Sequence, residues 1–318
     1  MTFDLTNKCV YVAGHRGMVG SAVVRRLASE GCEVITADRD VVDLKRQAEV
    51  EAFMRDAKPD AIVMAAAKVG GILANDTYPA DFLYDNLIIE ANITQSAFQN
   101  GVQKMLFLGS SCIYPKMAEQ PITEDALLTG PLEPTNEWYA IAKIAGIKLA
   151  QAYRKQHGCD FISAMPTNLY GPGDNFELNS SHVMPALIRK AHEAKLRGDD
   201  SITVWGTGAP RREFLHADDC ADALVFLLKT YSGDEHVNVG SSQDVTIIEL
   251  TELVCEIVGF GGTIVHDLSK PDGAPRKLMS AERIHSLGWS PTIELREGIS
   301  ATYQWFRKNH AAVERREQ

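Results

Sequence analysis

The sequence lacks the patterns that mark several large classes of protein. Its 318 residues contain no run of about 18 apolar residues, so no membrane-spanning helix is expected. Six cysteines are scattered without a C-x-x-C pair or a His/Cys cluster, so neither a disulfide framework nor a zinc or other metal site is indicated. The chain begins without a basic segment followed by an apolar run, and a reduced, cytoplasmic setting is therefore the simplest expectation.

An excess of positive charge is also absent. The net charge of −10 argues against nucleic acid as the main partner, although it is compatible with a local basic pocket for a phosphorylated ligand. The 45% hydrophobic and 23% charged residues are ordinary for a globular protein. Because 318 residues exceed the usual size of one domain, we expect two.

A glycine-rich turn follows the first β-rich run of the chain. Residues 10–13 read as a strand, and a helical pattern extends to Leu27. Between them lies G-x-x-G-x-x-G, whose glycines permit a tight turn and close approach of a pyrophosphate to a helix N-terminus. The alternative is a structural turn that binds no ligand. The expected cofactor-binding residues here are Gly14, His15, Arg16, Gly17, Met18, Val19 and Gly20.

The end of the second predicted strand bears on the choice of cofactor. Residues 33–37 lead into Asp38 and Arg39. At this place an acid usually binds the ribose 2′-hydroxyl of NAD, whereas an arginine receives the 2′-phosphate of NADP. Arg39, with Arg16 in the glycine-rich turn, favours NADP(H), and Asp38 leaves NAD open.

The segment around residues 105–143 carries the pattern most typical of carbonyl chemistry. An apolar strand ends at Gly109 and Ser110, and Tyr139 and Lys143 follow at a spacing of four, which places them on one face of a helix. A neighbouring ammonium favours the phenolate, so we expect Lys143 to bring the pKa of Tyr139 toward neutrality. Taken alone, Y-x-x-x-K is weak, because a surface pair on a helix gives the same spacing.

Strands and helices alternate through residue 170, which predicts an α/β fold with a doubly wound parallel sheet. We expect an NADP-binding, Rossmann-like domain over residues 1–170, to which segments at about 215–240 return. A smaller α/β substrate domain is expected over most of 171–318. Residues 204–208 and 211–216 are predicted to pair as strands. Because ligands bind beyond the carboxyl ends of parallel strands, Ser110, Cys112 and Asn168 are predicted to share one crevice.

Together these motifs resemble the extended short-chain dehydrogenase/reductase superfamily over nearly the whole chain. Within it, longer segments resemble the GDP-L-fucose synthase family. They are residues 13–21, 65–71, 108–115, 133–136, 165–172 and 269–273. The resemblance implies conversion of GDP-4-keto-6-deoxy-D-mannose to GDP-L-fucose, by epimerisation at C3 and C5 and reduction of C4 with NADPH.

The resemblance also implies roles for individual residues. Ser110 and Tyr139 stabilise the carbonyl oxygen, Cys112 is the base, and His182 is the acid on the opposite face of the sugar. Tyr139, tuned by Lys143, then protonates the oxygen at C4. On residue type alone, Cys112 reads equally as a small core residue, and Ser181-His182 as a cap for the next helix.

The same resemblance extends to the ligands. Further expected cofactor contacts are Leu108, Gly109, Ser110, Ser111, Lys143, Pro166, Thr167, Asn168, Leu169 and His182. Expected contacts with the GDP-sugar are Lys190, Trp205, Arg212, Asp272 and Lys277. Trp205 remains an alternative core residue, Arg211 an alternative to Arg212, and Arg189 an alternative to Lys190. The family implies a homodimer that pairs helices near residues 85–99 and 139–156, and neither nucleic acid nor a membrane is an expected partner.

Two other functions fit parts of the sequence. An NAD-dependent nucleotide-sugar 4-epimerase would share the fold and the Tyr–Lys pair, but it would leave Cys112 and His182 without a task. A non-catalytic dinucleotide-sensing protein would share the fold alone, and such proteins commonly lose the tyrosine or the lysine.

Overall fold

The computed structural model describes residues 2–178, 180–270 and 272–315. Its strands are β1 Cys9–Ala13, β2 Glu33–Ile35, β3 Ala61–Met64, β4 Lys104–Leu108, β5 Phe161–Pro166, β6 Asn168–Tyr170, β7 Ser201–Trp205, β8 Arg211–His216, β9 Val237–Val239, β10 Asp244–Thr246, β11 Thr263–Asp267 and β12 Arg276–Lys277. Its helices are α1 Met18–Leu27, α2 Gln47–Ala57, α3 Ile72–Thr77, α4 Pro79–Gln99, α5 Glu137–His157, α6 Val183–Arg197, α7 Ala217–Thr230, α8 Ile247–Val258, α9 Glu282–Ser286 and α10 Leu295–Arg315.

Six strands form one parallel sheet in the order β2-β1-β3-β4-β5-β9. The predicted α/β fold with a doubly wound parallel sheet is therefore confirmed. Strand β9 completes the sheet beside β5, and α7 packs against α1, so the chain does return to this layer after residue 210. The domain boundary at residue 170 itself stays a prediction.

Both faces of this sheet are covered. On β4, Leu106 and Leu108 point into the core shared with α1 and α7, while Met105 and Phe107 point into the core shared with α2, α4 and α5. A strand buried on both faces carries apolar side chains on both, which explains why residues 105–108 of β4 read as a continuous apolar run.

The second half of the chain builds two smaller sheets. Strand β8 lies between β10 and β12 and also pairs with β6, whereas β7 pairs with β11. The predicted pairing of residues 204–208 with 211–216 is thus wrong. Glycine turns between β7 and β8 separate the two strands, and each finds a partner that is distant in sequence.

One residue joins the main sheet to the smaller mixed sheet. Strand β5 ends at Pro166, β6 begins at Asn168, and Thr167 between them donates its backbone N–H to Val239 O at 3.0 Å. Asn168 Nδ2 donates to Glu213 O of β8 at 2.8 Å. The carboxyl ends of β4 and β5 therefore face the part of the chain that contains β8.

Among the helices of the described residues, none is long and apolar enough to cross a membrane. Within the same residues, no three His, Cys, Asp or Glu side chains are grouped in a way that could hold a metal ion.

Candidate active site

The glycine-rich turn forms a cradle at the start of α1. A side-chain carbon at Gly14, where φ is +85°, would lie 2.7 Å from Ala66 N, and one at Gly20 would lie 2.1 Å from Gly14 O. Gly17 precedes α1 and offers no side chain to cap it, and no acidic residue occupies the first turn. The N–H groups in the first turn of α1 are therefore open to an anion, which fits the pyrophosphate of a dinucleotide.

Of the two charged residues that follow β2, one is paired within the protein and the other is not. Asp38 forms an ion pair with Arg16 and lies 3.2 Å from His15 Nε2. Arg39 is exposed and has no carboxylate within ion-pair distance in the described part of the chain. The negative charge of Asp38 is thus already compensated by the protein, whereas the positive charge of Arg39 is not.

The turn after β4 presents Cys112. Residues Ser111–Ile113 form a 3-10 turn, and Ser110 Oγ accepts a hydrogen bond from Cys112 N at 3.5 Å. The thiol is buried, which raises the pKa of Cys112, while the Lys277 ammonium, the Ser110 hydroxyl and the Lys143 ammonium act to lower it. Burial and the two cations thus act on the Cys112 thiol in opposite directions.

Tyr139 and Lys143 lie one turn apart on α5, as predicted from their spacing. Burial, followed by the negative charges at Cys112 and Glu90, raises the pKa of Tyr139 well above its usual value, and interaction with the Ser110 hydroxyl opposes this. We expected Lys143 to bring the pKa of Tyr139 toward neutrality, and that expectation is wrong. Burial of the phenol is the largest cause, and the Lys143 ammonium is itself paired with Glu90 Oε1 at 3.0 Å.

His182 is the residue that precedes α6. Its side chain makes no capping hydrogen bond, and Ser181 Oγ has no partner in the described residues, so the interpretation of Ser181-His182 as a helix cap is not supported. His182 is exposed at the surface, yet desolvation by the neighbouring protein, and then the Lys277 ammonium, lower its pKa. Gly71 N donates to Ser180 O at 2.8 Å, which brings the glycine-bearing loop after β3 against the segment that contains His182.

The remaining expected cofactor contacts lie at the carboxyl edge of the main sheet. Gly109 packs so closely that a side-chain carbon there would lie 2.2 Å from Met165 Sδ. Thr167 is buried, and Asn168 uses its amide nitrogen to bind β8. Residues at the ends of two neighbouring strands are thus brought together. These residues are Leu108 at the end of β4, Gly109, Ser110 and Ser111 directly after it, and Pro166, Thr167, Asn168 and Leu169 at β5 and β6.

Two cations stand side by side on neighbouring strands. Lys277 of β12 is the register partner of Arg212 in β8, and the strands are parallel. Register partners point to the same face of a sheet, so the two cations project together. Burial lowers the pKa of both Arg212 and Lys277. Arg211 points to the other face, where its Nε donates to Asp244 Oδ1 at 2.9 Å.

The other expected substrate contacts form a separate group around β7. Trp205 is 58% exposed, which excludes the alternative that it is a core residue. Lys190 Nζ lies 5.7 Å from the centre of the Trp205 ring. Asp272 accepts hydrogen bonds from Thr207 N at 2.6 Å and Thr207 Oγ1 at 2.8 Å.

Arg189, the alternative to Lys190, is turned away from Trp205. It is buried, its Nε donates to Glu193 Oε1 at 2.6 Å, and its Nη1 donates to Phe176 O at 3.2 Å. These bonds tie α6 to the preceding loop.

The sequence reasoning missed Glu90. The only local signal is that its position on α4 lies three and seven residues before Ile93 and Ala97, both of which are buried. A carboxylate on an apolar helix face needs a cationic partner, but the sequence pattern does not indicate which one.

A doubly wound sheet with a serine, a tyrosine and a lysine at its carboxyl edge defines a nucleotide-dependent dehydrogenase or epimerase. Comparison with known proteins agrees. The model of the NAD dependent epimerase/dehydratase family matches residues 10–240. A GDP-L-fucose synthase from Sinorhizobium fredii is 66% identical over 307 residues, which cover 96% of this chain and 98% of the relative.

Solved structures give the same result. A GDP-6-OMe-4-keto-L-xylo-heptose reductase from C. jejuni is similar with a TM-score of 0.91 and 34% identity, over 97% of this chain and 100% of that one. A GDP-L-fucose synthetase from Naegleria fowleri bound to NADP is similar with a TM-score of 0.90 and 28% identity, over 98% and 97% of the two chains. The chain belongs to the NAD dependent epimerase/dehydratase family, which uses a nicotinamide cofactor, and within it to the GDP-L-fucose synthases. The predicted resemblance is confirmed.

Proposed function

We propose that this protein epimerises GDP-4-keto-6-deoxy-D-mannose at C3 and C5 and then reduces C4 with NADPH to give GDP-L-fucose. The observation that carries the proposal is the convergence of Cys112, Ser110 and Tyr139 at the end of β4, with Lys277 acting on both Cys112 and His182. Such a site has a base, an acid and an electrophile in one place.

Epimerisation requires a proton to leave the carbon next to the ketone and another to arrive from the opposite face. The Cys112 thiolate takes the first proton, and the neighbouring cations favour its ionised form. Charge that moves onto the carbonyl oxygen is held by hydrogen bonds from Ser110 and Tyr139. His182 delivers the second proton, and its lowered pKa means that, once protonated, it gives the proton up readily. Both groups then exchange protons with water, so the site is ready for the second carbon.

Reduction uses the same oxygen. NADPH, when bound at the glycine-rich turn, supplies the hydride to C4. Tyr139 donates its phenolic proton to the oxygen, and its raised pKa keeps that proton in place until it is needed. Ser110 holds the oxygen in position.

The choice of NADPH over NADH is part of the proposal. Arg39 is free to receive a 2′-phosphate, and the charge of Asp38, which would otherwise repel it, is compensated by Arg16. For the GDP moiety, Arg212 and Lys277 project together toward the site and suit a diphosphate. Lys190, Trp205 and Asp272 offer a cation, an exposed ring and a carboxylate for the remainder of the nucleotide.

We also propose a homodimer formed through α4 and α5. These helices pack together and carry large exposed apolar side chains at Tyr84, Trp138 and Ile141. Sedimentation velocity should give twice the monomer mass, and a Tyr84→Glu/Ile141→Glu variant should sediment as a monomer. All six cysteines carry free thiols, which suits the reducing cytoplasm in which we propose that the protein works.

Turnover of the keto sugar in deuterated water tests the reaction. Wild type should oxidise NADPH and give product with deuterium at C3 and C5. Cys112→Ser should incorporate little or none, with epimerisation reduced about 10²- to 10⁴-fold. Cys159→Ser, a change of the same kind away from the site, should behave as wild type.

Other outcomes would contradict the proposal. Oxidation of NADPH without deuterium uptake would indicate a plain 4-reductase, and Cys112 and His182 would lose their roles. Interconversion of C4 epimers without net oxidation of NADPH would instead indicate the 4-epimerase.

A further inference from the structure

A buried carboxylate that the reaction scheme does not use lies beneath the candidate catalytic pair. Glu90 projects from α4 and Lys143 from α5, and their side chains are each only 2% exposed. A buried ion pair generally adds no more to stability than apolar residues of similar volume. Stability alone is therefore a poor explanation for this pair.

The contacts of Lys143 fix the place of its ammonium group. One N–H donates to Glu90 Oε1 at 3.0 Å and another to Leu108 O at 3.1 Å, two residues before Ser110. Nζ lies 5.8 Å from the centre of the Tyr139 ring. Two hydrogen bonds in different directions thus hold the charge between the end of β4 and the tyrosine, and within the described residues the third N–H has no protein acceptor.

The helix that carries Lys143 makes room for the carboxylate. A side-chain carbon at Gly146 would lie 2.8 Å from Glu90 Oε2 and 2.3 Å from Phe107 Cζ. Glu90 Oε2 has no hydrogen-bond partner in the described part of the chain. The carboxylate therefore reaches Lys143 across a glycine, and it is paired through one oxygen only.

We propose that Glu90 is a positioning residue for the reduction: it holds Lys143 against the end of β4, and its negative charge keeps the Tyr139 phenol protonated until the C4 oxygen takes the proton. This inference rests on the proposed reduction at C4. It assigns Glu90 an action through Lys143 and Tyr139 and no contact with the substrate.

The charges that face Tyr139 come from three elements. Glu90 lies on α4, Cys112 on the 3-10 turn after β4, and Lys143 on α5 itself, while Lys277 acts on Cys112 from β12. After burial and Cys112, Glu90 is the next cause that raises the pKa of Tyr139. Removal of the Glu90 charge lowers that pKa directly, and it also leaves the Lys143 charge uncompensated, which lowers the pKa further.

The test is the alkaline side of the pH profile of kcat, measured by NADPH oxidation with the keto sugar. Turnover requires protonated Tyr139, so kcat falls as the phenol ionises. In Glu90→Gln this fall should begin about one pH unit lower than in wild type. Glu90→Asp keeps the charge but withdraws it from Lys143, so kcat should fall several-fold while the alkaline fall stays at its wild-type position.

Glu124→Gln is the matched control. Glu124 is also a buried glutamate, but its Oε1 accepts from Asn238 N outside the site, so its replacement should leave the pH profile unchanged. An unshifted profile in Glu90→Gln, or an equal shift in Glu124→Gln, would overturn the proposal. Where Glu90→Gln does not fold, a Glu90→Asp variant with wild-type kcat would overturn it.

A second readout needs neither substrate nor cofactor. The near-ultraviolet absorbance of tyrosinate is titrated in each enzyme and in its Tyr139→Phe counterpart, and the difference reports Tyr139. The transition in Glu90→Gln should lie below that in wild type, and identical curves would contradict the role of Glu90. If wild type fails to oxidise NADPH with the keto sugar, the proposed function falls, and this titration still decides the effect of Glu90 on Tyr139.

Discussion

A buried lysine lies at each end of strand β4, and the two lysines are paired very differently. At the start of the strand, the Asp160 carboxylate accepts hydrogen bonds from Lys104 at 2.6 Å, Arg154 at 2.7 Å and Ser232 at 2.8 Å. At the far end, Glu90 accepts only from Lys143, and one of its oxygens has no partner in the described part of the chain.

The pKa values of the two carboxyl groups move in opposite directions as a result. Burial alone would raise the pKa of Asp160, but the hydrogen bonds from Lys104 and Arg154 hold it below its usual value. Burial raises the pKa of Glu90, and Lys143 offsets this only in part. Asp160, with three hydrogen-bond donors, joins elements of the fold together. Glu90, with one donor, leaves part of its charge uncompensated beside the candidate catalytic groups.

The largest difference between substitutions of Lys143 and Lys104 is expected in kcat. Lys143→Met should lower kcat for NADPH oxidation about 10³-fold, because the ammonium between β4 and Tyr139 is lost. Lys104→Met removes an equally buried charge at the other end of β4 and should leave kcat within about twofold of wild type. Steady-state rates of the two variants measure the difference, and a comparable loss in both would remove the distinction.

The free energy of unfolding should also differ between the lysine variants at the two ends of β4, although by a smaller factor than kcat. Lys143→Met leaves Glu90 buried without a partner and should reduce the free energy of unfolding by about 3 kcal/mol. After Lys104→Met, Arg154 and Ser232 still bind Asp160, so a loss of about 1 kcal/mol is expected. Urea unfolding of both variants gives the comparison, and the reverse order would contradict it.

The end of β2 shows a similar contrast, because Asp38 is paired with Arg16 whereas Arg39 has no carboxylate within ion-pair distance in the described residues. Arg39→Ala removes an open charge and should raise KM for NADPH about tenfold, with little change in KM for NADH. Arg55→Ala changes an arginine in the last turn of α2 and serves as the control. An equal rise in KM for both cofactors would show that Arg39 does not bind the 2′-phosphate.

The smallest effect is expected in the pH dependence of stability. Asp160 has a lowered pKa in the folded protein, so its contribution is present above its unfolded pKa of about 3.8 and is lost as the pH falls below it. Glu90 has a raised pKa, so stability declines as the pH rises from about 4.5 through the folded value. Asp160→Asn should flatten the acid side of the stability curve, and Glu90→Gln should remove the decline above about pH 4.5. Chemical denaturation at a series of pH values tests both signs.

The sequence was sufficient where chemistry is encoded locally. The spacing of Tyr139 and Lys143 and the turn from Gly14 to Gly20 are short patterns, and a helix or a βα turn converts each directly into geometry. Alternating strands and helices likewise predicted the parallel sheet. The family resemblance supplied the roles of Cys112 and His182, which residue type alone left open.

What the sequence could not supply depends on contacts between distant segments. Glu90 and Lys143 are 53 residues apart, and only the packing of α4 on α5 brings them together. The orientation of Arg212 depends on which face of β8 meets Lys277 of β12, and a strand's faces are set by its neighbours. The mistaken pairing of β7 with β8 has the same origin, since both strands found partners from later in the chain.

The hydrogen bond from Cys112 N to Ser110 Oγ has a consequence for how the two activities can be separated. The hydroxyl that we propose to bind the substrate oxygen also accepts a hydrogen bond from the turn that carries the thiol. In the proposed reaction, a substitution at position 110 should therefore disturb epimerisation and reduction together, whereas a substitution at Cys112 should remove epimerisation and leave the groups that serve reduction in place. A designed variant that performs reduction alone should therefore carry its substitution at residue 112, because residue 110 serves both activities.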